Sequence, residues 1–330
     1  MENMDLRLLG KNVVVLGGAG FVGRSMVNQL SKQGFHVKVV VRRADRHRDF
    51  LLFPQTQLHE MRNITEEGLT ELFKDTDIVV NLFADMTAKT ENMPHEEMLE
   101  TIKLVKKTIE ESNVQRFLSL SQIGASASDE SNAYSYMLGK VDELVMATAK
   151  AGVTIAQPSM LIGMGDQTTA IISKQMRIQS FVLPVVNPKT EVQPLAVRDF
   201  AEAFVSTIRN EAMIGRKLIL AGDTRLSIKE LASMIKEMMG VKPAFIYPMC
   251  NIGANINAKL GRLSIMKSIS ENFVVTFKKD LITDVNFGEQ YGFEARSLEQ
   301  TLISYVVDPS MREKYNNFRK EAGRNVEDLV

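Results

Sequence analysis

The first half of the chain alternates between short apolar runs and stretches of helical spacing. Val13, Val14, Val15 and Leu16 are continuous, the pattern of a strand buried on both faces of a parallel sheet. Val22, Met26, Val27 and Leu30 then recur on one side of a helix. The alternation repeats downstream. Strands are predicted at 36–41, 56–61, 77–83, 116–121 and 153–157, with helices over 66–73, 95–112 and around 136–140. Pro94 stands near the first turn of the second of these helices. Buried strands joined by amphipathic helices imply right-handed crossovers and a doubly wound parallel α/β sheet.

Past the sixth strand the pattern loosens. A helix is predicted at 170–181, and Pro184, Pro188 and Pro194 interrupt regular structure up to Leu195. A helix from Asp199 to about Asn210, a strand at 217–221 and a helix at 227–239 follow. Ser227 and Glu230 have capping-box spacing at the start of that helix. The last ordered helix is predicted at 297–307, before a charged tail. The division expected is a parallel α/β domain over 1–160, with 195–222 returning to it. A smaller lobe is formed by 161–194 and 223–308, and 309–330 is the tail.

Composition narrows the class. The 330 residues are 45% apolar and 24% charged, as in a globular protein and unlike a disordered one. Lys+Arg and Asp+Glu both total 40, so no net charge draws the chain to nucleic acid. Cys250 is the lone cysteine, which excludes an intrachain disulfide and points to a reducing compartment. His36, His47, His59 and His95 have no metal-ligand spacing, and no metal site is expected. The first residues read as neither signal nor transit peptide, and no run reaches the ~20 apolar residues of a membrane span. A cytoplasmic location is expected, at most peripheral to an inner membrane. The Met-, Ile-, Asn- and Lys-rich stretch 249–277 could touch a membrane or line a substrate lobe. Asn255, Asn257 and Ser264 interrupt its apolar face and favour the lining.

The chemistry begins where the first strand ends. Gly17, Gly20 and Gly23 are spaced as GxxGxxG between a strand and a helix, which suits a dinucleotide: a tight turn, a close approach to the diphosphate, and close helix packing. The helix opens at Phe21 and Val22, whose region offers free N–H groups and a positive dipole end. The second strand closes on Arg42-Arg43, without the acid that accepts ribose hydroxyls. Two guanidinium forks suit a 2′-phosphate, so NADP(H) is favoured over NAD(H). Phe83 and Ala84, at the fourth strand's end, are expected beside the cofactor.

Ser121 ends the fifth strand, where ligands bind in such sheets. Tyr136 and Lys140, at i and i+4, share a helical face. A nearby ammonium favours tyrosinate and so brings the phenol toward a useful range. Ser121 would orient a substrate oxygen, Tyr136 exchange a proton and Lys140 hold the nicotinamide ribose. Tyr134, two residues back, is expected to point elsewhere.

With these residues placed, the chain resembles an atypical, extended short-chain dehydrogenase/reductase with a Rossmann fold. More narrowly it is similar to the group of the nucleotide-binding accessory subunit of respiratory complex I. GGAGFVGR at 17–24, VVVRR at 39–43, SLSQIGA at 119–125, YMLGK at 136–140, QPSMLIGMGD at 157–166 and QPLAVRDFAEAF at 193–204 carry the likeness. By resemblance, Arg24 joins the glycines at the diphosphate, and Pro158 and Leu161 form the turn beside the nicotinamide. Arg62-Asn63-Ile64 departs from the usual Asp-hydrophobic pair near adenine, and Gln157 replaces the usual Arg before Pro158.

The resemblance implies an NADP(H)-dependent oxidoreductase acting on a small carbonyl or hydroxyl substrate, linked to quinone metabolism or respiratory complex I. One alternative is a non-catalytic NADPH-binding assembly or stability factor of a membrane respiratory or quinone-biosynthesis complex. A nucleotide-sugar epimerase or dehydratase is the other, and Gln157 weighs against it.

Overall fold

The computed structural model describes residues 9–85, 95–166, 168–178, 182–240, 245–249 and 276–307. Its centre is a seven-stranded parallel sheet. In chain order the strands are β1 (Asn12–Leu16), β2 (His36–Val41), β3 (Thr56–Glu60), β4 (Ile78–Asn81), β5 (Arg116–Leu120) and β6 (Gly152–Pro158), joined by β11 (Arg216–Leu220) at one edge. The order across the sheet is β11-β6-β5-β4-β1-β2-β3. β1 pairs with β2 on one side and β4 on the other, all parallel. The chain therefore reverses its direction of winding between β1 and β4, the place where ligands bind beyond the strand ends.

The continuous apolar run of β1 serves both faces. Val13 and Val15 pack with α1 (Phe21–Lys32) and α6 (Val197–Ser206); Val14 and Leu16 pack with α2 (Glu66–Phe73), α3 (His95–Glu111) and α4 (Ala133–Met146). Helix starts are set by side chains. Thr65 caps α2, Asn132 caps α4, and Ser227 with Glu230 forms the full capping box of α7 (Ile228–Met239).

Arg116 pins one corner of the sheet. Its side chain is fully buried and donates to the carbonyls of Ile208, Gly152 and Thr207 and to Thr154 Oγ1, at 2.6–3.0 Å.

A third apolar cluster joins Met160 and Ile162 to α5 (Thr169–Ile178), α7, Leu281 and α9 (Leu298–Val306), the short α8 (Phe287–Tyr291) packing instead against the α1 and α6 side of the sheet. Here the structure departs from the expected breaks. A strand, β8 (Val182–Val186), runs through Pro184 and pairs in parallel with β13 (Phe245–Met249), which contains Pro248. Among the described residues the pair is two-stranded, which leaves each strand an edge at which a missing N–H costs little. Four further short strands, β7 (Leu161–Ile162), β9 (Glu191–Val192), β10 (Leu195–Ala196) and β12 (Leu226–Ser227), make two-residue pairings that local periodicity is too short to register. α6 begins two residues earlier than expected and closes in a 3-10 turn, Thr207–Arg209. Most of the 249–277 stretch and the whole charged tail lie outside the described residues. No helix among the described residues is long and apolar enough to cross a membrane.

Candidate functional site

The turn after β1 is built for close approach. Gly17 has φ +72°, and a Cβ there would stand 3.1 Å from the Leu82 carbonyl and 3.2 Å from the Phe83 ring. Gly23 lies against the loop itself: a Cβ would fall 2.2 Å from the Gly18 carbonyl oxygen. Gly20 precedes α1 without a side-chain cap, and the first turn of α1 carries no acidic residue. The turn thus presents backbone N–H groups and the helix dipole to a ligand, a cradle that fits a dinucleotide diphosphate.

Two features of this cradle escape the sequence. The Val22 N–H donates to Asp85 Oδ2 at 2.9 Å, across 63 positions of chain, and Asp85 is buried. Arg24 pairs with Asp49 and stacks on the Phe50 ring, its guanidinium carbon 5.1 Å from the centroid. That pairing turns Arg24 toward the 3-10 turn Arg48–Leu52 and away from the diphosphate role implied for it.

Arg42 and Arg43 stand exposed at the end of β2, with no ion-pair partner among the described residues. The nearby Glu60 is turned to the chain, accepting from the Ala44 N–H at 3.1 Å.

A cavity of about 90 Å³ opens where β4, β5 and β6 end against α1. Phe21, Val22, Ala84, Asp85, Ser121, Pro158, Leu161 and Asp166 line it, with Phe277 and Leu281 from the far side. Ser121 is fixed by its N–H, which donates to the Ala156 carbonyl at 2.7 Å, while its buried hydroxyl has no hydrogen-bond partner. Asn81 braces the neighbouring strand end: its amide donates to Ser119 Oγ at 2.9 Å and its oxygen accepts from the Phe83 N–H at 3.1 Å. Phe83 packs behind Gly17 and Ala84 reaches the cavity wall.

Two buried carboxylates flank this floor. Asp142 accepts from Gln157 Nε2 at 2.9 Å and from Lys217 Nζ at 3.1 Å. Burial pushes its pKa up, opposed by the Ser121 hydroxyl and by Lys217 and Gln157. The Ser121 contact falls short of a hydrogen bond, because Asp142 Oδ1 is also left without a partner. Asp166 caps α5, accepting from the N–H groups of Thr169 at 2.6 Å and Gly163 at 3.0 Å and from the Tyr305 hydroxyl at 3.1 Å. Burial raises its pKa as well.

The tyrosines of α4 exchange places relative to expectation. Tyr134 is the buried one, and its hydroxyl donates to the Ala84 carbonyl at 3.2 Å, against the cavity wall. Tyr136 is half-buried with Lys140 Nζ 5.5 Å from its ring centroid, so the pair shares a face as its spacing requires. Lys140 also reaches Glu143 at 3.5 Å. Neither Tyr136 nor Lys140 is among the residues lining the cavity. The buried residues of α4 are Tyr134, Met137, Leu138, Gly139, Val141, Asp142 and Val145.

Residues 17–178 match the family described as NAD(P)H-binding. The mitochondrial "NADH dehydrogenase [ubiquinone] 1 alpha subcomplex subunit 9" of Arabidopsis thaliana is 26% identical over 242 residues, covering 70% of this chain and 59% of that protein. The chain spans about 60% of the length of such curated relatives. A ceramide reductase of Caulobacter vibrioides is 24% identical over 238 residues, 71% of this chain and 72% of that one. Among solved structures, a nucleoside-diphosphate-sugar epimerase from Staphylococcus aureus superposes with a TM-score of 0.69 at 17% identity, over 88% of this chain and 99% of the other. That last likeness is one of fold.

Proposed function

We infer that this chain, an NAD(P)-binding Rossmann protein of the atypical short-chain dehydrogenase/reductase type, binds NADP(H) and acts as an oxidoreductase on a small carbonyl or hydroxyl compound. One observation carries the reading: the first turn of α1 and Ser121, just past β5, line a single cavity. Gly17, Gly20, Gly23 and the backbone of Phe21 and Val22 would hold the diphosphate. Arg42 and Arg43, exposed and without acidic partners among the described residues, would grip the 2′-phosphate. Ala84, Pro158 and Leu161 line the part of the cavity that suits the nicotinamide half, with Phe83 behind them. A bound nicotinamide supplies or accepts hydride. Ser121 donates its free hydroxyl proton to a substrate oxygen and orients it. Tyr136, beside the Lys140 ammonium, holds the proton that this oxygen exchanges, and Lys140 reaches the ribose.

Relatives named as a complex I subunit and a ceramide reductase support a substrate from quinone or lipid metabolism. The test is oxidation of NADPH across a panel of quinones, ketolipids and small ketones, with wild type and Ser121→Ala in parallel. Loss of most of the rate in the variant is expected. Equal rates would remove Ser121 from the chemistry.

The half-exposed position of Tyr136 and Lys140, off the cavity lining, favours one second reading. In it the chain is a non-catalytic NADPH-binding stability factor, attached peripherally to a membrane respiratory or quinone-biosynthesis complex. Affinity capture from a detergent extract, wild type against Arg43→Glu, separates the two: retention of a membrane complex by wild type alone supports the second. A sugar-nucleotide epimerase has less support, because Gln157 is buried against Asp142.

A further inference from the structure

Resting on that reading of the nucleotide cradle, we propose that Asp85 sets the cofactor affinity of this site: its carboxylate occupies the helix end a diphosphate uses and keeps the dinucleotide exchangeable. The contact is specific. Asp85 Oδ2 accepts from the Val22 N–H at 2.9 Å inside the protein. α1 supplies no acid of its own in its first turn, and Gly20 offers no side chain to cap it. The negative charge that a helix N-terminus favours thus comes from the end of β4, 63 positions away.

The placement matters because Asp85 and Val22 both line the cavity that holds Ser121. A carboxylate and a diphosphate are both anions, and one N–H cannot serve the two at full strength. At a contact buried in the protein their repulsion is weakly screened. The dinucleotide must therefore displace the carboxylate from Val22 or share the helix end with it, and either route weakens its hold. The same carboxylate keeps the turn ordered when no nucleotide is bound. A cofactor held this loosely leaves after each hydride transfer. That suits a hydride donor consumed as a cosubstrate, and opposes an enzyme that retains one dinucleotide through repeated turnovers.

Asp85→Asn tests the charge alone, since an amide oxygen can still accept from the Val22 N–H. Asp85→Ser is the second variant, keeping a capping hydroxyl in a smaller side chain. Affinity for NADPH is read by calorimetry, its release by stopped-flow fluorescence, and retained nucleotide by absorbance of the purified protein. Both variants are expected to bind NADPH at least tenfold more tightly than wild type, mostly through slower release, and to retain nucleotide through purification. Binding of 2′-AMP, which carries the adenosine phosphate and no diphosphate, is expected to be unchanged. Wild-type binding of NADPH with no gain in either variant overturns the role of Asp85 and leaves the cradle standing. An equal gain for 2′-AMP overturns it too, by removing the diphosphate from the argument. Failure of all three proteins to bind NADPH overturns both.

Discussion

The Tyr134 hydroxyl donates to the carbonyl of Ala84 at 3.2 Å, tying the front of α4 to the strand end that walls the cavity. Tyr136, two residues on and so about 200° around the helix, stands half-exposed beneath Lys140 instead. The two phenols therefore separate by assay. Tyr134→Phe removes one partly buried hydrogen bond and is expected to cost about 1 kcal/mol in urea unfolding, with NADPH binding preserved. Tyr136→Phe is expected to leave stability unchanged and to suppress NADPH oxidation. A variant at Tyr134 that loses turnover while Tyr136→Phe keeps it would reverse the assignment.

In the proposed reading, cofactor choice rests on the pair of arginines after β2. Each charge-assisted contact to a phosphate is worth about 1.5–3 kcal/mol, so Arg43→Ala is expected to weaken NADPH roughly tenfold or more. NADH, lacking the 2′-phosphate, should change little. Parallel losses for both nucleotides, measured by fluorescence titration, would place Arg43 elsewhere than at that phosphate.

Arg116 carries a larger structural burden. Burial brings its pKa down to about 10, so it stays charged at neutral pH while four acceptors surround it. Arg116→Ala leaves three carbonyls and a hydroxyl without their donor and opens a void. A loss of about 3 kcal/mol or more is expected in chemical denaturation. Recovery of wild-type stability by Arg116→Met would show that the guanidinium bonds contribute nothing.

Asp142 gives the fold a pH signature. Burial raises its folded-state pKa above the ordinary carboxylate value of 3.8. A raised acid stabilises the folded state while protonated, and that contribution is lost as pH rises through the folded value. Asp142→Asn does not titrate. The stability of wild type minus that of the variant should therefore fall as pH is raised from the ordinary carboxylate range toward neutrality. Urea unfolding at a series of pH values checks it, and a difference that grows with pH would contradict the burial argument.

How far the sequence reaches follows from what each signal depends on. β1, β2, β4, β5 and β6 are legible because each is an apolar-rich run flanked by a helix, as burial within the sheet demands, whereas β3, TQLHE, is an edge strand with a single buried residue. The glycine turn was legible because its steric reasons are local. Gly23 has to be glycine because Gly18 lies against it. By contrast Asp85 and Val22, or Asp142 and Lys217, meet only through the sheet order, and nothing near either residue marks the contact. The facing of Tyr134 was lost for a related reason. An i, i+4 spacing fixes which side chains share a face but not which face the sheet covers, and Leu138, Asp142 and Val145 decide that together. The β8–β13 pair, with a proline in each strand, depends on its free edges, which local sequence does not reveal.

In the proposed reading, the turn over residues 17–23 seats a reduced pyridine dinucleotide. Calorimetric titration of the purified protein with NADPH and with NADH, alongside Gly23→Val, tests it most directly. Saturable binding of NADPH by wild type, weaker binding of NADH, and loss of both in the variant, whose side chain would collide with the Gly18 carbonyl, are expected. No heat from either nucleotide with the folded wild-type protein would contradict it.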